Sequence, residues 1–191
     1  MKGVYIFIAD GFEDCEALAT NDALRRAGIE SRLVSVSDSL NAVSSHGVRI
    51  SCDVLLEDLL QNGQEGTDAK DFLIFPGGMP GSRNLAGCGK LVTLMQEHYD
   101  AGGALAAICA SPGLVLSRLD NVDGLEFTCF DGFEGNLTSR GASFNPQPSV
   151  VCGRIITGRS AGHSLSFALD IIRAIKGGEA AGKVDYALYL Q

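Results

Sequence analysis

Ala104-Leu105-Ala106-Ala107-Ile108-Cys109-Ala110-Ser111-Pro112 joins an uninterrupted apolar run to a cysteine, two small residues and a proline. An apolar run of strand length without polar alternation is the pattern of a strand covered on both faces, as in a parallel sheet. Proline suits the first turn of a helix, where its missing N–H would have had no intrahelical partner. A strand that turns sharply into a helix, with small residues flanking the turn, pushes the side chain at the apex out of the sheet. The stretch reads as a strand–turn–helix elbow with Cys109 at its apex.

The same alternation recurs outward from the elbow. Phe72–Phe75 is a second buried strand, ending in Pro76-Gly77-Gly78, and Leu91, Leu94, Met95 and His98 mark a helix between the two. Nearer the start, Val4–Ala9 is a continuous apolar strand. The segment from Cys15 to Ala27 carries Ala17, Leu18, Ala23, Leu24 and Ala27 at helical spacing and stops at Gly28. Ser31–Val36 reads as a strand, Val48–Val54 as an added hairpin, Leu55–Leu60 as a short helix, and residues 62–70 as a polar loop. Downstream, Glu126–Val150 has no clear period. Ile155–Thr157 is a late strand, and Leu165–Ile175 an apolar helix ended by Gly177-Gly178. Strand–helix alternation predicts an α/β fold with a mostly parallel twisted sheet and helices on both faces. Ligand sites in such sheets form beyond the carboxyl ends of the strands, so the loops after Ala9, Phe75 and Ile108 should meet at one place.

A chain of 191 residues fits one domain, residues 1–191. Hydrophobic residues make up 46% and charged residues 20%, the composition of a globular protein rather than a disordered or fibrous one. Fifteen Lys and Arg against 23 Asp and Glu give a net charge of −8, with no basic run beyond Arg25-Arg26. Nucleic acid and anionic membrane surfaces are therefore not expected partners. The apolar stretch after Lys2 is too short for a signal peptide and runs into Asp10, Glu13 and Asp14. No apolar run approaches the ~18–20 residues of a membrane-spanning helix. The reading is a cytoplasmic protein whose six cysteines are free thiols.

Three constellations carry chemistry. At the elbow, helix amides behind Cys109 favour a thiolate and lower its pKa below the free value of ~8.5. Equally, a free cysteine can be a small apolar residue in a core. Gly77 and Gly78 let the backbone approach a ligand and aim amides at it, as in an oxyanion hole, although a tight turn would use the same residues. Neither this loop nor Gly87-Cys88-Gly89-Lys90-Leu91 has the pattern of a phosphate-binding loop. Glu16 lies near a helix start, where a carboxylate is favoured for structural reasons alone, but its position after the first strand aims it at the same place as Cys109. The histidines are His46, His98 and His163, and none adjoins Cys109. With no C-x-x-C pair and no Cys/His clustering, neither a metal site nor any other cofactor is expected.

Together the Ala9–Glu16 loop, Leu24-Arg25-Arg26-Ala27-Gly28-Ile29, Phe75-Pro76-Gly77-Gly78, Ala106–Pro112 and Thr157-Gly158-Arg159 resemble the ThiJ/PfpI superfamily, in particular its parkinsonism-associated deglycase branch. The resemblance runs from about Val4 to Lys183. It implies a flavodoxin-like three-layer sandwich and a homodimer. It also implies Cys109 as the reactive thiol, Glu16 as its protonated carboxyl partner, and amides of Gly78 and Ala110 facing the sulfur. His46 falls where the family carries an arginine that reaches the partner's site, near Cys109 and Arg159 of the other subunit. The branch has a histidine after the short strand that follows the elbow helix. The matching place, Thr128-Cys129-Phe130, is read as holding Cys129, a resolving thiol if it lies within disulfide reach of Cys109.

Two functions follow from these residues, and a third is weaker. One is cofactor-free glyoxalase- or deglycase-like chemistry on small reactive carbonyls, through a Cys109 hemithioacetal with Glu16 carrying protons. The second is a redox sensor or protective protein in which an oxidant converts Cys109 to a sulfinate. A cysteine peptidase is the third, and no histidine can be named for its triad.

Overall fold

The computed structural model describes residues 1–62 and 66–190. The elements, in chain order, are β1 (Val4–Ile8), α1 (Asp14–Arg26), β2 (Ser31–Ser35), β3 (Asn41–Val43), β4 (Arg49–Ser51), β5 (Val54–Leu55), α2 (Leu56–Asn62), β6 (Phe72–Phe75), α3 (Gly81–Gly87), α4 (Gly89–Asp100) and β7 (Ala104–Ile108). They continue with α5 (Ser111–Leu114), β8 (Glu126–Phe127), α6 (Gly135–Thr138), β9 (Ser143–Phe144), β10 (Ser149–Cys152), β11 (Ile155–Gly158), α7 (Ser164–Lys176) and α8 (Gly178–Ala187). Seven strands form the main sheet in the order β10-β11-β7-β6-β1-β2-β5, all parallel except the edge strand β10.

Period-two alternation in the buried strands feeds two apolar layers at once. Val4, Ile6 and Ile8 of β1 face one layer, with Phe72 and Ile74 of β6 and Ala104 and Ala106 of β7, packed on α1, α7 and α8. Tyr5 and Phe7, with Leu73, Phe75, Leu105 and Ala107, face the other, packed on α2, α3, α4 and α6. This is why these strands read as unbroken apolar runs. The chain crosses from β1 to β2 on one side and returns to β6 on the other, so the loops after β1 and β6 part at a switch in strand order.

Several elements differ from the sequence expectation. The hairpin pairs Asn41–Val43 with Arg49–Ser51, while Val54 leaves it to pair with β2 in the main sheet. Helix α3 precedes the expected helix α4. The aperiodic stretch from Glu126 holds β8, α6, β9 and the edge strand. Helix α7 ends at Gly177, φ 87°, as anticipated, but α8 starts at once beyond it. Of the expected polar loop over 62–70, residues 63–65 lie outside the described residues. Among the described residues all six cysteines are free, and no helix is long and apolar enough to cross a membrane.

Candidate active site

Cys109 follows the last residue of β7 with φ at 65°, a left-handed conformation uncommon in any residue but glycine. Both its backbone groups are held. Its N–H donates to the Gly158 carbonyl (3.0 Å) at the end of β11, and its carbonyl accepts from Phe130 N–H (2.8 Å). The turn thus lifts the sulfur off the sheet end, as the elbow reading requires.

Glu16 reaches the sulfur from the second position after the Asp14 helix start. The Glu13 side chain caps α1 by accepting from Glu16 N–H (2.8 Å), which satisfies one of the open donors of the first turn. Glu13 N–H donates to Gly77 O (3.0 Å), and Gly77 N–H donates to Glu16 Oε2 (2.7 Å). The β1–α1 loop and the β6–α3 loop are locked together by this exchange. A Cβ on Gly77 would stand 2.4 Å from Glu16 Oε2 and 2.6 Å from Cys109 Cβ, so glycine is required by contact. Glu16 is 1% exposed, and its Oε1 is buried without a hydrogen bond of standard geometry.

Burial raises Glu16 to a pKa of about 7, against the pull of its contacts with Cys109 and Gly77 N–H. The thiol departs from expectation. Burial first, then the adjacent Glu16 carboxylate, push Cys109 up to about 12, while the Ala110 and Gly78 amides pull it down. The expected net lowering does not result because burial and Glu16 outweigh these amides, and α5, a single turn over Ser111–Leu114, adds little dipole. The two groups are a coupled pair. A thiolate forms where Glu16 holds the proton, and a carboxylate where sulfur does.

The remaining residues are distributed around this pair. Gly78 and Ala110 present their amides to the sulfur, but the Gly77 amide is occupied by Glu16. His46, in the turn of the β3–β4 hairpin, bonds through Nδ1 to Asp14 Oδ2 (2.7 Å) and stays exposed. Desolvation works against Asp14, but bonds with Ser44 and His46 prevail and hold it below its usual value. Glu13, Asp14 and His46 bring ligand-type atoms within 4.8 Å of one another, a grouping hidden in sequence by the distance from 14 to 46. A helix cap and a hydrogen bond account for it. Arg159 Nη2 bonds to Asp131 Oδ1 (2.6 Å), its guanidinium lies 5.6 Å over the Phe144 ring, and Nη1 is buried without a partner.

Cys129 is fully buried in the layer of α2–α6, whereas Cys109 packs against the layer of α1, α7 and α8. The Phe130 N–H on the Cys109 carbonyl (2.8 Å) brings the backbone beside Cys129 to the elbow, while the two cysteine side chains pack into different layers. The residue that turns outward beside the elbow is Phe130, 47% exposed. Sequence reading also missed Ser82 and Ser111. Ser111 Oγ donates to Pro76 O (2.6 Å) and lies 2.9 Å from Ser82 Oγ, both serines having no exposure. A lone serine carries no pattern that would have singled it out.

The model of the DJ-1/PfpI family matches residues 2–174. The chain belongs to the DJ-1/PfpI family. It is similar to Protein DJ-1 homolog A of Arabidopsis thaliana, 31% identical over the whole chain, and spans less than half (47%) of that plant protein. It is 30% identical to Glutathione-independent glyoxalase DJR-1.2 of Caenorhabditis elegans, over 87% of this chain and 84% of the relative. The solved structure of oxidized Toxoplasma gondii DJ-1 superposes with a TM-score of 0.88 at 27% identity, covering 99% of this chain and 98% of that one. The flavodoxin-like sandwich implied by the sequence is the fold of these DJ-1 structures.

Proposed function

We propose that this DJ-1/PfpI protein converts small α-oxoaldehydes to hydroxy acids without a cofactor. The observation that carries the reading is the buried Glu16 carboxyl, poised near neutrality against the Cys109 thiol. Glu16 takes the thiol proton as sulfur adds to the aldehyde carbon, and the new oxygen takes that proton, giving a hemithioacetal. The amides of Gly78 and Ala110 face the sulfur, and in this reading they stabilise charge on the oxygen formed beside it. Glu16 then removes the proton from the former aldehyde carbon and returns one to the neighbouring carbon, while the hydroxyl proton passes to the neighbouring oxygen. The product is a thioester of the 2-hydroxy acid, which water hydrolyses to free the thiol. The glyoxalase name of one relative supports the substrate class.

A second reading is oxidation of Cys109 to a sulfinate held by Glu16 and the two amides. It is favoured by the absence of an imidazole among the hydrogen bonds described around the pair: His46 is engaged by Asp14, His98 by the N-terminus and backbone, and His163 by Ser160. The assembly consistent with the family is a homodimer in which His46 approaches the partner's site, and light scattering at micromolar concentration tests it. Methylglyoxal kinetics and mass spectra of peroxide-treated protein separate the two chemistries. Steady lactate production by wild type, lost in Cys109→Ser and reduced at least ~10²-fold in Glu16→Gln, supports catalysis. Glu16→Gln turning over like wild type would refute the proton-carrier role, and a +32 Da product on Cys109 without turnover would favour the sensor.

A further inference from the structure

The buried Ser82–Ser111 pair ends a chain of polar contacts that reaches the reactive thiol. The Ser111 hydroxyl faces two acceptors, the Pro76 carbonyl (2.6 Å) and Ser82 Oγ (2.9 Å), and the shorter contact is to the carbonyl. The Pro76 carbonyl and the Gly77 N–H are two ends of one peptide unit, and that N–H donates to Glu16 Oε2 (2.7 Å). Ser82 is itself tied in, since its backbone N–H donates to the Gly78 carbonyl (2.9 Å). The sequence of contacts is Ser82 hydroxyl, Ser111 hydroxyl, Pro76–Gly77 peptide, Glu16 carboxyl, Cys109 sulfur.

We propose that Ser111 is a positioning residue that tunes Glu16 through the Pro76–Gly77 peptide and so sets the division of one negative charge between Glu16 and Cys109. A donor at the carbonyl end of a peptide polarises it and makes its N–H a stronger donor, and in a low-dielectric interior such chains reinforce one another by ~10–30% per bond. A stronger N–H at Oε2 favours the ionised carboxyl over the neutral one. The other groups acting on Glu16 are Glu13, whose charge disfavours its ionisation, and the Cys109 thiol; Cys15 is its neighbour on α1. The β6–α3 loop contributes the Gly77 N–H, and His46 of the hairpin is bound to Asp14.

The consequence has a definite sign. Without the Ser111 hydroxyl the Gly77 N–H weakens, the Glu16 carboxylate is less favoured, and the pair loses its first proton at higher pH. Once that proton is lost, more of the remaining charge resides on sulfur. Iodoacetamide labelling of Cys109, followed by peptide mass spectrometry across pH 5–9, reads both effects and requires no carbonyl turnover. For Ser111→Ala the inflection should move up by roughly 0.3–0.5 pH unit and the plateau rate should rise. Ser82→Ala removes the competing acceptor, so it should move the inflection down, by less. This second variant keeps Ser111 on Pro76 and guards against misfolding of the first. An inflection unchanged in both variants, moved down in Ser111→Ala or moved up in Ser82→Ala, overturns the proposal. A faster rate at every pH without a shifted inflection also overturns it, because loosened packing alone would produce that.

Discussion

Glu16 links the chemistry of the site to the stability of the whole chain. Its folded-state pKa of about 7 lies above the 4.5 of an ordinary glutamate, so the folded protein holds the proton more tightly than the unfolded chain. Stability from this residue is therefore greatest below pH ~4.5, falls as pH rises to about 7, and is level beyond. Glu16→Gln removes that loss, and urea denaturation should find the variant more stable than wild type at pH 8 by up to about 2–3 kcal/mol, with the advantage gone near pH 4.5. Wild type equal to the variant at both pH values would place Glu16 at an ordinary pKa. The identities of Cys109 and Glu16 and the raised Glu16 carboxyl were legible through family motifs, but the raised Cys109 thiol was not. Burial sets it, and burial comes from residues distant in sequence. The same holds for Phe130, which turns out beside the elbow where attention had fallen on Cys129.

At the scale of elements, the β3–β4 hairpin is fastened to the active-site loop rather than to the sheet. Gly11 N–H donates to Val43 O (2.8 Å), Ser45 N–H to Phe12 O (2.8 Å), and Val43 N–H to Asp10 Oδ1 (2.8 Å). Asp10 is exposed, so its substitution removes a bond without opening a cavity. Asp10→Ala should cost about 0.5–1.5 kcal/mol and speed amide hydrogen exchange in residues 41–51 and 10–12 while leaving β7 unchanged. Exchange confined to wild-type rates in the hairpin would show that the two backbone bonds suffice. Strands β1, β6 and β7 and helices α1 and α7 were readable because burial on two faces, or on one stripe, imposes a pattern. The hairpin register was not, since residues 37–41 are mostly polar and set no alternation. Helix α8 was hidden by Gly177-Gly178, which ends one helix and begins another.

Across the molecule, one strand serves two cores. Phe7 of β1 has no exposure and stacks on Phe75 at 5.6 Å in one layer, while Ile6 and Ile8 beside it fill the other. Neither layer can lose its packing without unseating the strand they share. Phe7→Ala should cost about 3–5 kcal/mol and lower the urea midpoint of α4 and α7 amides equally, although Phe7 faces only the α4 layer. A midpoint shift limited to α4 would reveal two independent units. The sandwich itself was legible from the strand–helix alternation, whereas the polar chain from Ser82 to Glu16 depended on loops that only the folded sheet brings together. Cys109 adds a different consequence at this scale. Its left-handed backbone disfavours residues that carry a Cβ, cysteine included, by roughly 1–2 kcal/mol. A library of this chain selected for thermal endurance alone, with no demand on chemistry, would drift at position 109 toward glycine or asparagine. Retention of a thiol there in a working population would then record the strength of selection on what the sulfur does.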